Sequence, residues 1–315
     1  MLEPFLLERE LLPKVWGGRA LQDIVGIELP AGEEPIGESW ELFDRPEGSS
    51  RVRGADVSLA ELVRRYPDEV VGRGVKLGHG GAFPLTLKFL DAREACSLQV
   101  HPSDEQASDD LGKDECCLIL DAAEDARFVH GFRAGVERAE FFERWTTPDV
   151  RSMLYSFRPE RDQLVHVPPG LPHAMGPGVV AFEVQQNSDQ TYRIYDWGRD
   201  RETTPDAARD VVKMTVNEAP PAHPPTPLED GGELLLATDN FTVRRYRLSR
   251  PFELATNARF LALTCLAGGG RLRWSEAGHL TFARAETALV PACTASVVIE
   301  PAGPVDLVVS SPGGT

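Results

Sequence analysis

Hydrophobic and polar positions alternate along this chain in many short segments. Examples lie at 84–91, 96–101, 116–121, 163–169 and 179–186. Each segment has the length and the two-residue period of a β-strand, and Gly, Pro or Asp residues bound it. Many short strands at this spacing favour a sandwich or a jelly roll over a sheet of alternating strands and helices.

Two segments have helical spacing instead. Residues 59–67 follow Ser58, which is a suitable N-cap, and end at Pro67. Residues 137–145 carry an aromatic stripe on roughly one face, formed by Phe141, Phe142 and Trp145. We therefore predict two short α-helices inserted between the strands.

A proline-rich stretch at 217–232, NEAPPAHPPTPLEDGG, is poor in residues that form a core and has the composition of a linker. Strand-like segments resume after it, at 233–248, 259–274, 287–292 and 296–301. A chain of 315 residues is long enough for about two cores. The pattern therefore predicts a mainly β protein with an N-terminal domain at 1–220 and a smaller all-β domain at 221–315.

The charge balance restricts the class of partner. The chain has 33 Lys and Arg residues against 49 Asp and Glu, a formal net charge of -16. No run of Lys or Arg could follow a phosphate backbone, so nucleic acids and anionic membrane surfaces are disfavoured as partners. A phosphorylated substrate would need a few local cations.

The location of the protein is predicted from three absences in the sequence. No apolar run approaches about 18 residues, and the N-terminus lacks the pattern of a signal peptide. The cysteines are odd in number and have no CxxC spacing: Cys96, Cys116, Cys117, Cys265 and Cys293. We predict reduced thiols and a cytoplasmic protein that does not span a membrane.

Four polar residues are candidates for a metal site. Gln99 and His101 lie two positions apart in QVHP, so on a strand they point to the same side. Glu115 opens the strand-like ECCLIL, and His173 follows the turn sequence PPGLP. Two imidazoles, a carboxylate and an amide oxygen suit a divalent ion such as Zn²⁺ and leave a coordination position for water or substrate. Taken singly, each residue is more often part of an ordinary core or turn.

Several blocks of the sequence resemble the motifs of type I mannose-6-phosphate isomerases. QVHP followed by KxE and then GxxHA, in this order, is specific to that family, and WGG and IGESWEL are similar to the opening blocks of its bacterial short form. These blocks lie at 16–18, 36–42, 87–107, 113–116, 167–178 and 183–199. The resemblance implies two cupin domains, which are jelly-roll β-barrels with a few inserted α-helices. It also implies a metal-dependent interconversion of mannose 6-phosphate and fructose 6-phosphate through a cis-enediol.

The resemblance also implies roles for individual residues. One zinc ion per chain would be bound by Gln99, His101, Glu115 and His173, with other divalent ions as alternatives. Lys113 would act near the metal in catalysis and in substrate binding, and Arg193 would act near the substrate. Glu183 and Asp189 would line the same cavity, and Arg199 is a candidate cation for binding the sugar phosphate. The C-terminal domain has no second ligand set and is predicted to be a metal-free cupin.

One departure from the family and three alternatives stay open. The family usually carries an aromatic pair where this chain has Cys117 and Leu118, a change that can reshape the pocket wall. The substrate could be an unphosphorylated sugar such as mannose. The protein could also be a non-catalytic sugar-binding cupin, or a dioxygenase-like cupin with iron. We expect a monomer or a weak homodimer.

Overall fold

The fold is known for residues 2–107 and 111–314 from a computed structural model, and it is mainly β. The strands before the proline-rich stretch are β1 (Phe5–Leu6), β2 (Glu10–Gly18), β3 (Ile36–Leu42), β4 (Asp44–Arg45), β5 (Gly48–Ser49), β6 (Leu85–Ala92), β7 (Leu98–Val100), β8 (Glu115–Ala122), β9 (Phe128–Phe132), β10 (Leu154–Phe157), β11 (Leu164–Val167), β12 (His173–Met175), β13 (Val179–Gln186) and β14 (Tyr192–Tyr195).

The remaining strands lie within or after that stretch, and helices are few. The strands are β15 (Thr226–Pro227), β16 (Glu233–Ala237), β17 (Phe241–Leu248), β18 (Phe252–Ala255), β19 (Leu261–Ala267), β20 (Gly269–Arg273), β21 (His279–Ala283), β22 (Thr287–Val290), β23 (Ser296–Pro301) and β24 (Val305–Pro312). The α-helices are α1 (Leu59–Arg65), α2 (Pro67–Val70), α3 (Arg138–Arg144) and α4 (Pro205–Arg209). Single turns of other helix types lie at Leu21–Val25, His79–Gly81 and Pro148–Ser152.

Two antiparallel sheets form the N-terminal sandwich. One has six strands in the order β11-β8-β13-β6-β2-β3, and the other has five in the order β10-β9-β12-β7-β14. Neighbouring strands are often distant in sequence, as in a jelly roll. The sandwich is a cupin fold with a few inserted helices, so the predicted fold class is confirmed.

Two further sheets form the C-terminal sandwich. One has seven strands in the order β1-β22-β19-β24-β17-β16-β15, and the other has four in the order β18-β23-β20-β21. Strand β1, at the start of the chain, pairs with β22 near its end. The division of the chain at 220 and 221 remains a prediction, because β1 contributes to the C-terminal sandwich.

A shared apolar layer joins the two sandwiches. Phe89 and Phe182 of the six-stranded sheet belong to the same core as Phe241 and Val308 of the seven-stranded sheet. Strand β13 explains how one sheet can serve two layers, because successive side chains point to opposite faces. Its Phe182 lies in the shared layer, whereas its neighbours in sequence face the interior of the N-terminal sandwich. As a result, β13 is buried along its whole length.

The first predicted helix is confirmed, with a different end. The side chain of Ser58 accepts a hydrogen bond from the Glu61 backbone N–H, and the Glu61 carboxylate accepts one from the Ser58 N–H, which is a capping box. Helix α1 stops at Arg65, and Pro67 begins a second short helix, α2. A proline at the first helical position lacks only an N–H that would be unpaired there anyway, so Pro67 both ends one helix and starts the next.

The second predicted helix, α3, covers the outer face of the five-stranded sheet. Phe141 is fully buried and Trp145 nearly so, and both pack in one cluster with Leu98, Phe132 and Ile194 of the sheet. Two long strand-like segments are each divided into two strands. Residues 233–248 form the hairpin of β16 and β17, whereas residues 259–274 contain β19 and β20, which lie in different sheets.

No helix within the described ranges is both long and apolar enough to cross a lipid bilayer. Each of the five cysteines, all within these ranges, is free.

Candidate active site

Two rows of side chains face the interior of the N-terminal sandwich, one on each sheet. In the five-stranded sheet, His173 of β12 lies opposite Gln99 of β7, and Gln99 lies opposite Arg193 of β14. Residues directly opposite on antiparallel strands point to the same face. This register therefore places three polar groups that are distant in sequence side by side.

The second row lies on the six-stranded sheet. Glu183 of β13 lies opposite Cys117 of β8 on one side and Lys88 of β6 on the other. Lys88 in turn lies opposite Trp40 of β3, with its Nζ 5.1 Å from the centre of the indole ring. Glu115 is two residues before Cys117 on β8 and therefore points to the same interior.

Three of the predicted metal ligands converge between these rows. The ligand atoms of His101, Glu115 and His173 all lie within 4.8 Å of one another, and all three residues are buried. Glu115 Oε1 is 3.1 Å from His173 Nε2 and 3.5 Å from His101 Nε2. Gln99 adjoins the cluster, with its amide group 3.2 Å from His173 Nε2. Because amide oxygen and nitrogen are assigned only by their surroundings, a flipped Gln99 amide would turn its oxygen to the same centre.

Hydrogen bonds orient both imidazole rings as a metal site requires. His101 Nδ1 lies 3.0 Å from the Gln190 carbonyl oxygen, and His173 Nδ1 lies 2.9 Å from the Leu171 carbonyl oxygen. A carbonyl only accepts, so each Nδ1 carries a proton, and each Nε2 is the ring nitrogen that faces the cluster. Burial first, and then the positive charge of Lys113, lower the pKa of His101 to about 4, which keeps that ring neutral.

Glu115 is the charged member of the cluster. Burial alone would raise its pKa, but Lys113 and His101 outweigh this effect and hold the pKa well below its usual value. Lys113 Nζ lies 2.9 Å from Glu115 Oε2, whereas Glu115 Oε1 is the oxygen that faces the two imidazoles. Two imidazole nitrogens, an ionised carboxylate and an amide fit a divalent ion of the zinc type.

Lys113 and Glu183 form the charged wall beside this cluster. Burial lowers the pKa of Lys113, but the carboxylates of Glu115 and Glu183 raise it more, and the net shift is upward. Burial first, and then repulsion by Glu115, raise the pKa of Glu183. Lys88 Nζ is 3.3 Å from Glu183 Oε1, and the Cys117 thiol lies 3.9 Å from Glu183 Oε2. Glu183 is therefore a carboxyl group that can exchange a proton more readily than a solvated one.

These groups line one cavity of about 290 Å³. Asp189 and Arg193 line it, together with residues that were not recognised from the sequence. Those residues are Lys14, Trp16, Glu38, Trp40, Lys88 and Arg201. Two signals could have identified part of this set: a lysine within the apolar run LTLKFL, and Glu38 and Trp40 two positions apart on one strand.

Arg199 does not line this cavity, although Arg201 does. Arg199 lies at a separate surface pocket beside Trp197 and Glu94. Asp196 is buried and holds both arginines through its two carboxylate oxygens. The structure thus brings together every predicted site residue except Arg199.

Comparisons with known proteins point to one family. A family model described as phosphomannose isomerase type I, catalytic domain, matches residues 5–125. The mannose-6-phosphate isomerase of Streptococcus mutans is 32% identical over 286 residues, which cover 86% of this chain and 87% of that protein. The mannose-6-phosphate isomerase ManA of Bacillus subtilis is 31% identical over 294 residues, which cover 86% of this chain and 87% of that protein.

A solved structure extends the similarity to three dimensions. The crystal structure of the mannose 6-phosphate isomerase from Bacillus subtilis superposes with a TM-score of 0.86 and 29% sequence identity. The superposition covers 98% of this chain and 99% of the Bacillus chain. Both sandwiches are therefore present in that relative.

Proposed function

Because this chain belongs to the type I phosphomannose isomerase family, we propose that it interconverts mannose 6-phosphate and fructose 6-phosphate in the cavity of the N-terminal sandwich. The observation that carries the proposal is the convergence of two imidazole nitrogens and a carboxylate within 4.8 Å, beside a lysine and an arginine. A site for binding sugar alone would not need buried metal ligands.

The metal in this proposal is one zinc ion per chain. His101, Glu115 and His173 would hold it, with Gln99 as the fourth ligand. When bound, the ion would supply a Lewis acid that polarises the carbonyl group of the substrate, which would make the hydrogen on the neighbouring carbon more acidic. The choice of zinc rests on the donor set, because imidazole nitrogens with one carboxylate suit it better than they suit magnesium or calcium.

The reaction moves a proton between C1 and C2 through a cis-enediol. Glu183 is our candidate for carrying protons, because its raised pKa brings it nearer to the pH at which the enzyme works. Asp189, on the same cavity wall, is the second candidate. A well-placed base or acid of this kind contributes roughly 10²–10⁴-fold to the rate.

Negative charge develops on the substrate oxygens as the enediolate forms. Lys113 is the cation nearest to the metal ligands, because its Nζ lies 3.4 Å from His101 Nε2. In our proposal Lys113 stabilises the enediolate and helps to bind the substrate, while Arg193 holds the far end of the sugar phosphate. Fixed charges in a cavity from which water is largely excluded stabilise such a transition state more than the same charges in water do.

A coupled assay with zinc-loaded protein tests the activity. We expect mannose 6-phosphate to be converted into fructose 6-phosphate, with exchange of the C2 hydrogen in deuterated water. Exchange with free mannose but not with mannose 6-phosphate would favour an isomerase of unphosphorylated sugars. Sugar binding with no exchange would favour a non-catalytic cupin, and iron rather than zinc in elemental analysis would favour a dioxygenase-like protein.

We also propose that the enzyme works in the cytoplasm as a monomer or weak homodimer. One observation supports this location, namely that the five cysteines are free, and the proposed phosphorylated substrate agrees with it. Fractionation of the source cells and light scattering of the purified protein test the two statements separately.

A further inference from the structure

Asp196 holds two arginines that differ in what else they contact. Arg201 donates to Asp196 from Nε at 2.7 Å and from Nη2 at 2.6 Å. Arg199 donates to the same carboxylate at 3.2 and 2.8 Å. Burial raises the pKa of Asp196, but the hydrogen bonds from Arg201 and Arg199 outweigh it and lower the pKa. The carboxylate is thus a fixed anchor for both guanidinium groups.

The two arginines differ in the guanidinium nitrogens that they leave without a partner. Arg199 Nη1 contacts Glu94, and its Nη2 also donates to the Ala95 carbonyl oxygen, so every guanidinium nitrogen of Arg199 has a partner. Within the described part of the chain, Arg201 Nη1 has no hydrogen-bond partner. Because Arg201 lines the active-site cavity, this free group is available there.

Arg193 has a free donor in the same cavity. Its Nε donates to Ser97 Oγ at 3.2 Å and its Nη1 to the Glu202 carbonyl oxygen, and no partner of Nη2 occurs among the described residues. Burial first, and then the charge of nearby Arg201, lower the pKa of Arg193. Two like charges that repel each other in this way are stabilised when an anion binds between them.

The lysines of the cavity are already neutralised. Lys14 pairs with Glu38 at 3.5 Å, Lys88 with Glu183 at 3.3 Å and Lys113 with Glu115 at 2.9 Å. By contrast, no carboxylate in residues 2–107 and 111–314 lies in ion-pair contact with Arg193. Arg201 shares the single carboxylate of Asp196 with Arg199, so the end of the cavity that holds Arg193 and Arg201 keeps a net positive charge for an anionic ligand.

We infer that Arg201 binds the phosphate group of the substrate together with Arg193, and that Asp196 positions Arg201 for this role while Arg199 supports Asp196 from outside the cavity. The inference rests on the proposed function, since it concerns the phosphate of that substrate. Each of these two guanidinium groups has a nitrogen without a partner among the described residues that can donate to a phosphate oxygen, and a planar guanidinium group suits phosphate better than an ammonium group does.

The test compares R201Q with the matched variant R199Q, because both remove one guanidinium group from Asp196 and only R201Q removes a cavity donor. For R201Q we expect the KM for mannose 6-phosphate and the inhibition constant of inorganic phosphate to rise by about 10–100-fold. We expect kcat to change by less than about 3-fold, and zinc content and the thermal unfolding midpoint to match those of the wild type. For R199Q we expect both binding constants to change by less than about 3-fold.

A third variant, R201K, keeps the positive charge but loses the bidentate hydrogen bond to Asp196. We expect its loss of phosphate affinity to lie between those of R199Q and R201Q. Equal losses of phosphate affinity in R199Q and R201Q would overturn the inference. They would mean that phosphate binding depends on the Asp196 loop as a whole and not on the contact with Arg201. An unchanged inhibition constant for phosphate in R201Q would overturn it as well.

Calorimetry separates a failure of this inference from a failure of the proposed function. Inorganic phosphate is titrated into wild-type, R199Q and R201Q protein without any measurement of turnover. Loss of phosphate binding in R201Q alone would support the phosphate site even if the wild type did not isomerise mannose 6-phosphate. Retained binding in R201Q would overturn the site even if the isomerase assay succeeded.

Discussion

The N-terminal and C-terminal sandwiches have the same architecture, but the interior of the first is polar and that of the second is apolar. The first is lined by imidazole, carboxylate, ammonium and guanidinium groups around a cavity of about 290 Å³. The second is filled by a cluster of apolar side chains, among them Leu272, Ile299 and Leu307, each at most 1% exposed. In the described ranges, the one cluster of metal-ligating residues lies in the N-terminal sandwich.

The difference lies in the residues that the strands direct inward. The two pairs of sheets are similar frames, so the frame alone does not determine chemistry. In the N-terminal sandwich, polar and charged residues occupy many inward positions, and ion pairs and hydrogen bonds stabilise them. In the C-terminal sandwich, the same kind of position supplies stability through burial of apolar surface. A substitution in each interior should therefore affect a different property.

The largest expected effect is that of H173A. Removing one imidazole should abolish metal occupancy and lower isomerase activity by more than about 100-fold, because even residues behind a metal ligand often contribute that much. Elemental analysis and the coupled assay measure the two losses, and circular dichroism checks that the β-rich fold is retained. H279A is the control, because His279 is exposed on β21 of the C-terminal sandwich. Full activity of metal-free H173A would show that the site is assigned wrongly.

E183Q should have the next largest effect. It should lower the rate of catalysis without changing metal binding. The amide keeps the size of the side chain and its contact with Lys88 but cannot carry the proton. We expect kcat to fall by roughly 10²–10⁴-fold, with zinc content unchanged. Single-turnover kinetics across pH provide the measurement. A kcat within about 3-fold of the wild-type value would mean that Glu183 only balances the charge of Lys88.

L272A tests the opposite interior. Leu272 of β20 is fully buried in the core of the C-terminal sandwich. Its truncation should reduce the free energy of unfolding by about 2–5 kcal/mol, through lost burial and a residual cavity. Chemical denaturation measures this loss, and zinc content and kcat of the folded protein should stay at wild-type values. A loss of zinc in L272A would indicate that the C-terminal sandwich sets the geometry of the metal site through the shared layer.

D162N should have the smallest effect. Arg245 of β17 pairs with Asp162 at 2.6 Å across the two sandwiches, and it also pairs with Asp306 at 2.6 Å. Asp162 is 48% exposed, so water screens this pair, and its loss should reduce the free energy of unfolding by less than about 1 kcal/mol. Denaturation curves of the variant and the wild type provide the comparison. A loss above about 2 kcal/mol would mean that this ion pair is a principal link between the sandwiches.

Local features of the structure were largely predictable from the sequence. The alternation in VVAFEVQQ predicted β13 at 179–186, and the strand has those bounds. Ser58 with Glu61 sets the start of α1, because a capping box involves only four consecutive residues. The proposed ligands were also accessible, since Gln99 and His101 share a face by the two-residue period of a strand.

Features that depend on distant pairing were not predictable in this way. The pairing of β1 with β22 joins residues near opposite ends of the chain, and no local period records it. The sequence marks Lys88 and Glu38 as unusual, but they meet in one cavity because β6 and β3 are neighbours in the sheet. Arg199 and Arg201 are two positions apart and both bind Asp196, and their spacing does not show that only Arg201 lines the cavity.

The sequence by itself therefore determined the class of secondary structure, the family and the residue types of the proposed metal site. The secondary structure follows from the spacing of neighbouring residues, where backbone geometry alone fixes which side chains share a face, and the family and the proposed ligands follow from short motifs in a fixed order along the chain. The tertiary structure alone decided which sheets pack together, which interior is polar and which arginine lines the cavity. Those outcomes depend on contacts between segments far apart in the chain, and such contacts form only when the whole fold buries its apolar surface.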